Sequence, residues 1–148
     1  MEHRHALLAV RPPFAEDLVE GRKTVEFRRA RASLKAGDCV YVYATAPTQA
    51  IVGTFVCGPV VEAQPDILWQ RFSSAGGTPR SFFRSYFGGS ERGCAIGVRQ
   101  PRPWTLPLTL RRIREHLPDF SPPQSYAFLG EGEALLRLLT RYSHNGSA

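Results

Sequence analysis

Apolar and polar residues fall along this chain in short blocks. Residues 5–10, with Leu7, Leu8 and Val10, read as a first strand, and Pro12 and Pro13 break it. Residues 14–20 follow as a short helix with Phe14, Leu18 and Val19 on one face and Gly21 as its stop. In residues 24–29, Val25 and Phe27 alternate with Thr24, Glu26 and Arg28. A period of two is that of a strand, so Val25 and Phe27 face a core while Thr24, Glu26 and Arg28 share the other face. Residues 38–44 repeat the pattern, Val40 and Val42 against Tyr41 and Tyr43. Pro47 and Thr48 make a turn into a strand over residues 50–56. Its Gly53 marks a bulge or a close approach of another backbone. Pro59 interrupts, and Val60 and Val61 continue after a bend.

Two helices come next. One opens at Pro65 and Asp66 and runs to Phe72; the other opens at Pro79 and ends at Gly88 and Gly89. Residues 94–99 return to strand. The proline-broken residues 100–107 read as an edge strand. A helix over residues 110–117, a strand or turn over 125–129 and an amphipathic helix over 131–142 complete the chain. Helices inserted between runs of strands argue for an α+β domain around a small curved sheet or closed barrel.

The 148 residues fit a single domain, and 43% hydrophobic content gives it a real core. The net charge of +6 suits a polyanion such as nucleic acid, although basic proteins without such a partner are common. All basic residues but Lys23 and Lys35 are arginine. Lysine, unlike arginine, can lose its proton when buried, which singles out Lys23. Cys39, Cys57 and Cys94 are far apart and lie in apolar runs, so no zinc site is expected and they read as free thiols of a reducing cytosol. No cofactor is implied, and no run is long enough to span a bilayer. A cytoplasmic protein is the expectation.

Gly21-Arg22-Lys23-Thr24-Val25-Glu26-Phe27-Arg28 carries the most chemistry. A lysine, a carboxylate and a guanidinium at a strand entrance can hold an anion, or they can form a solvated charged face. With this stretch, three others resemble the ASCH family of PUA-like domains: Val40 to Pro47 leading into Ala50 to Gly53, Phe82 to Gly89 followed by Ala95 to Val98, and Pro122 to Tyr126. The match spans residues 6–129. Within that family it resembles the stand-alone domains described as predicted transcriptional regulators, which implies a regulatory role.

The resemblance implies a β-barrel with a cleft between barrel and inserted helices, and binding of RNA or another nucleic acid there. Some relatives are hydrolases: one branch removes an acyl group from a modified cytidine with a lysine, a threonine and a glutamate, and others are ribonucleases. Lys23 matches the lysine. The threonine of that branch falls at Glu26, and the helix expected to carry its glutamate has no carboxylate, so two of its three roles are missing. If the chain is an enzyme, Lys23 and Glu26 are the catalytic candidates.

As a binding module it asks less. Arg11, Lys23, Arg28 and Arg29 are candidates for phosphate contacts. Tyr43 and Tyr86 can stack on bases, or cover a sheet face and a core. Thr45, Gln49, Gln124 and Ser125 can hydrogen-bond base edges. An interaction domain for an acidic protein is the remaining reading of the basic surface.

Overall fold

A computed structural model describes residues 3–29, 33–130 and 133–146, with side chains to residue 143. Eleven elements follow one another: β1 (His5–Val10), α1 (Pro12–Val19), β2 (Val25–Arg28), β3 (Cys39–Ala44), β4 (Ala50–Ala63), α2 (Pro65–Gly76), α3 (Arg80–Phe87), β5 (Gly93–Thr109), α4 (Leu110–His116), β6 (Tyr126–Leu129) and α5 (Ala134–Gly146). The strands form one sheet in the order β2-β5-β4-β3-β1-β6. β1 and β3 are parallel, and every other pair is antiparallel.

Of the curved sheet or closed barrel expected, the structure has the curved sheet, a half-barrel with β2 and β6 as its ends, and not the closed β-barrel that the resemblance implies. Curling follows from bulges. The β4–β5 register shifts three times, between Ile51 and Gly53, Thr54 and Val56, and Cys57 and Val60. Each shift bends and twists the ladder locally. Pro59 lies within the third shift, which is why β4 continues past it. Likewise residues 100–107 are no separate strand but the second half of β5, whose outer edge carries no strand partner among the described residues. Gly53 is the site of a close approach: a Cβ there would lie 2.4 Å from the Arg102 carbonyl oxygen of β5.

Apolar burial falls into three clusters. The inside of the curl packs Leu8, Val40 and Val42 against Leu18 and Val19 of α1. Pro12 opens that helix rather than merely breaking the strand before it, as its missing N–H permits. The outer face of β1 and β3 packs Leu7, Tyr41 and Tyr43 under Ile113 of α4 and Leu135 and Leu139 of α5. α5 begins at Ala134, and Glu131, expected in it, lies outside the described residues. Val25 and Phe27 of β2 join Leu68, Phe83 and Phe87 of α2 and α3 in the third cluster. The alternation along β2 therefore separates an apolar face from a charged one, as its period requires.

Candidate functional site

The charged face of β2 opens into a cleft of about 460 Å³. Its walls come from four places: the end of β1 with Arg11, β2 with Glu26 and Arg28, the first residues after β3 with Thr45, and α3 with Phe82 and Tyr86; Gln124 and Ser125 close it ahead of β6. Short backbone bonds tie these pieces together. The Ala9 N–H donates to the Ser125 carbonyl at 2.8 Å, and the Thr45 N–H donates to the Val10 carbonyl at 2.9 Å.

A chain of charges runs up through the floor. Lys23 is 1% exposed. Gly21, with φ +82°, turns the chain out of α1 and delivers it there. The Lys23 ammonium donates to the Gly76 carbonyl at the end of α2 and, at 3.1 Å, to Thr78 Oγ1. It lies 3.6 Å from Glu26 Oε1 and 5.2 and 5.5 Å from the Phe14 and Phe27 ring centres. Burial holds its pKa below the ordinary lysine value, a shift that the Glu26 carboxylate opposes. Glu26 in turn faces Arg28, with Oε2 3.2 Å from Nη2. Arg28 Nη2 also donates to the Ala9 carbonyl at 2.6 Å. One guanidinium thus bridges β2 to β1, which the sheet leaves unpaired with each other. Arg28 Nε is buried and has no hydrogen-bond partner among the described residues.

The α3 wall is aromatic and flanked by cations. Phe82 and Tyr86, one turn apart, stack at 6.1 Å with their planes 10° from parallel. The Arg11 guanidinium lies 5.2 Å from the Phe82 ring centre, and that of Arg29 4.9 Å from the Tyr86 ring centre. The Tyr86 hydroxyl accepts the Arg29 backbone N–H at 3.1 Å. Guanidinium–aromatic layers and hydroxyls around a concave floor suit a planar group with an anion attached.

Eight of the residues singled out from sequence line this cleft: Arg11, Glu26, Arg28, Arg29, Thr45, Tyr86, Gln124 and Ser125. Three do not. Lys23 is buried beneath the floor and touches the cleft lining through Glu26 and Thr78 and against the Phe14 and Phe27 rings. Tyr43 is 3% exposed on the opposite face of the sheet, in the cluster under α4 and α5. Gln49 lies in a separate shallow pocket with Arg111 and Arg114, and its carbonyl accepts the Leu110 N–H at 2.9 Å. Phe14, Thr78 and Phe82 also line the cleft and were not singled out. Phe14 and Phe82 read as core positions of their helices, and their edge-to-face contact at 5.1 Å shows that they do pack, but at the rim. Among the described residues no three His, Cys, Asp or Glu side chains gather as a metal site.

The ASCH domain family model matches residues 8–77, the segment that supplies β1, β2 and the Lys23–Glu26–Arg28 chain. An ASCH domain-containing ribonuclease of Zymomonas mobilis is 30% identical over 132 residues, covering 89% of this chain and 88% of that protein. This chain belongs to the ASCH domain family. The crystal structure of ASCH from Zymomonas mobilis superposes with a TM-score of 0.85 at 29% identity, over 94% of this ASCH chain and 96% of that one. A hypothetical protein from Leishmania major, 14% identical with a TM-score of 0.59 over 97% and 98% of the two chains, shares the ASCH fold alone.

Proposed function

We propose that this ASCH protein binds single-stranded RNA, seating one nucleotide in the cleft. The observation that carries this reading is the cleft lining itself. Among the described residues, three guanidinium groups, a stacked aromatic pair and several hydroxyl and amide groups converge on one concavity, against the single carboxylate of Glu26. Arginines beside a concave floor supply phosphate affinity, and stacking on Tyr86 or Phe82 requires a base that is not paired in a helix. Thr45, Gln124 and Ser125 are placed to meet a base edge. The curled sheet is read as PUA-like and the three free thiols as those of a cytoplasmic protein. The regulatory description attached to stand-alone relatives gains nothing from the Zymomonas mobilis protein, whose name speaks of RNA cleavage.

That name favours a second reading, in which cleavage follows binding. Glu26 is the one carboxylate lining the cleft among the described residues and lies beside Arg28. It would take the proton from a ribose 2′-hydroxyl as that oxygen attacks the adjacent phosphorus; the bond from phosphorus to the 5′-oxygen of the next nucleotide breaks, that oxygen leaves with the bonding pair and takes a proton from water, and a 2′,3′-cyclic phosphate remains, while Arg28 and Arg11 meet the charge that develops on the phosphoryl oxygens. Lys23 would act by holding Glu26 in place.

Two measurements separate the readings. Fluorescence anisotropy with a labelled single-stranded RNA is expected to show affinity that falls steeply with salt and drops in Arg28→Ala. Affinity independent of both would leave the acidic-protein partner as the better explanation. Incubation of the same RNA with wild type and Glu26→Gln is expected to show cleavage lost in the variant. Equal cleavage by the two would remove Glu26 from the chemistry.

A further inference from the structure

The cleft is not the largest concavity. On the other side of α3 lies a groove of about 670 Å³, lined by Asp66 and Trp69 of α2, Arg80 and Arg84 of α3, and Glu91 and Arg92 of the following loop. Phe83 lines both concavities, so α3 is their shared wall. The pattern of α3 explains this. Phe82 and Tyr86 form one i, i+4 row toward the cleft, and Arg80 and Arg84 form another toward the groove. Trp69 leans on Phe83, ring centres 5.0 Å apart, while remaining partly exposed. The Arg80 guanidinium lies 5.7 Å from the indole centre.

We propose that this groove is a second nucleotide subsite, which receives a base and phosphate farther along the strand, beyond the nucleotide adjoining the one in the cleft. The proposal rests on the RNA-binding reading and extends it from one nucleotide to a strand crossing α3. An indole fixed by the core on one side and open on the other, with a guanidinium beside it, is the arrangement on which unpaired bases stack. Arg80, Arg84 and Arg92 outnumber Asp66 and Glu91, so the groove keeps a net positive lining for a phosphate. Asp66 offers an acceptor to an exocyclic amino group. A helix is about 10 Å across. A dinucleotide seated in the cleft therefore gains little from the far side, whereas a longer strand reaches both.

The test uses 2′-fluoro oligouridylates, a dinucleotide and an octanucleotide, which lack the 2′-hydroxyl nucleophile. The chain has two tryptophans, and Trp104 is only 5% exposed beneath α5, so fluorescence quenching reports on Trp69. The octanucleotide is expected to quench Trp69 and to bind more tightly than the dinucleotide. Trp69→Leu should weaken the octanucleotide roughly five- to hundred-fold and leave the dinucleotide unchanged. The double variant Arg80→Ala/Arg84→Ala changes only exposed side chains and should lower the salt slope for the octanucleotide alone, which keeps the test valid if Trp69→Leu fails to fold. If both variants bind the octanucleotide like wild type while Arg28→Ala weakens both lengths, the groove is not a subsite and the cleft reading stands. If neither length binds in a salt-dependent way, the cleft reading falls and the groove falls with it.

Discussion

The outer face of β1 and β3 and the cleft floor at β2 bury opposite kinds of side chain. Under α4 and α5 the outer face is sealed by Tyr41, Tyr43, Trp104 and a row of leucines. Its polar atoms are few and reach short distances, as when the Tyr142 hydroxyl donates to the Leu106 carbonyl at 2.7 Å. Burial raises the pKa of Tyr41 and Tyr43, the effect expected of phenols that serve as packing area. At the cleft, by contrast, Lys23 and Glu26 are buried as charges, 1% and 6% exposed. Buried ion pairs seldom stabilise more than apolar residues of the same volume. A fold that needed only stability would have made the cleft floor like the outer face. The contrast supports the proposal that the cleft is the working part of the molecule and the outer face its support.

The largest effect that sharpens this contrast belongs to Lys23. Lys23→Ala removes one partner of Glu26 and the donor to the Gly76 carbonyl, and should lower unfolding free energy in urea by about 3–5 kcal/mol. It should also erase a pH dependence. Burial sets the folded-state pKa of Lys23 below its ordinary 10.5. Between that lowered value and 10.5 the unfolded chain binds more protons, so this residue makes stability rise with pH across the window and level off above it. Against Lys23→Met, wild-type stability should therefore gain as pH is raised toward 10.5. A constant difference would mean that the ammonium is not desolvated in the folded protein.

Arg28→Ala comes next. Loss of its charge-assisted bonds should weaken RNA binding by about 1.5–3 kcal/mol, read by anisotropy at fixed salt. Tyr86→Ala should remove ~1–3 kcal/mol of stacking, with Tyr86→Phe nearly neutral for RNA. The smallest effect is assigned to the outer face. Tyr43→Phe should leave RNA affinity unchanged, and a loss there as large as that of Tyr86→Ala would break the division between the outer face and the cleft.

Local order was legible where it depends on near neighbours. The period of two along Val25 to Arg28 places Glu26 and Arg28 together, and both line the cleft. The same period put Tyr41 and Tyr43 on one face of β3 but could not say what covers it. That cover is α5, which is close to β3 in space and some ninety residues away in sequence. Lys23 was legible as unusual but not as buried, because its carbonyl partner lies 53 positions later at the end of α2. Whether the curved sheet closes was not legible for a related reason. Strand count and turns are local, whereas whether β2 meets β6 depends on the accumulated curl of bulges in β4 and β5. From the open end at β2, the Arg28 side chain reaches across to the Ala9 carbonyl of β1.

The second half of β5 has one further consequence. β2 pairs only with residues 94–97 of that strand, and beyond them Pro101, Pro103 and Pro107 recur along the uncovered border. A proline nitrogen carries no hydrogen to donate, so a border interrupted in this way is a poor template for another copy of the chain to extend. The stretch whose prolines broke up the strand pattern in sequence is thereby also the part of the sheet least suited to being extended by a second copy.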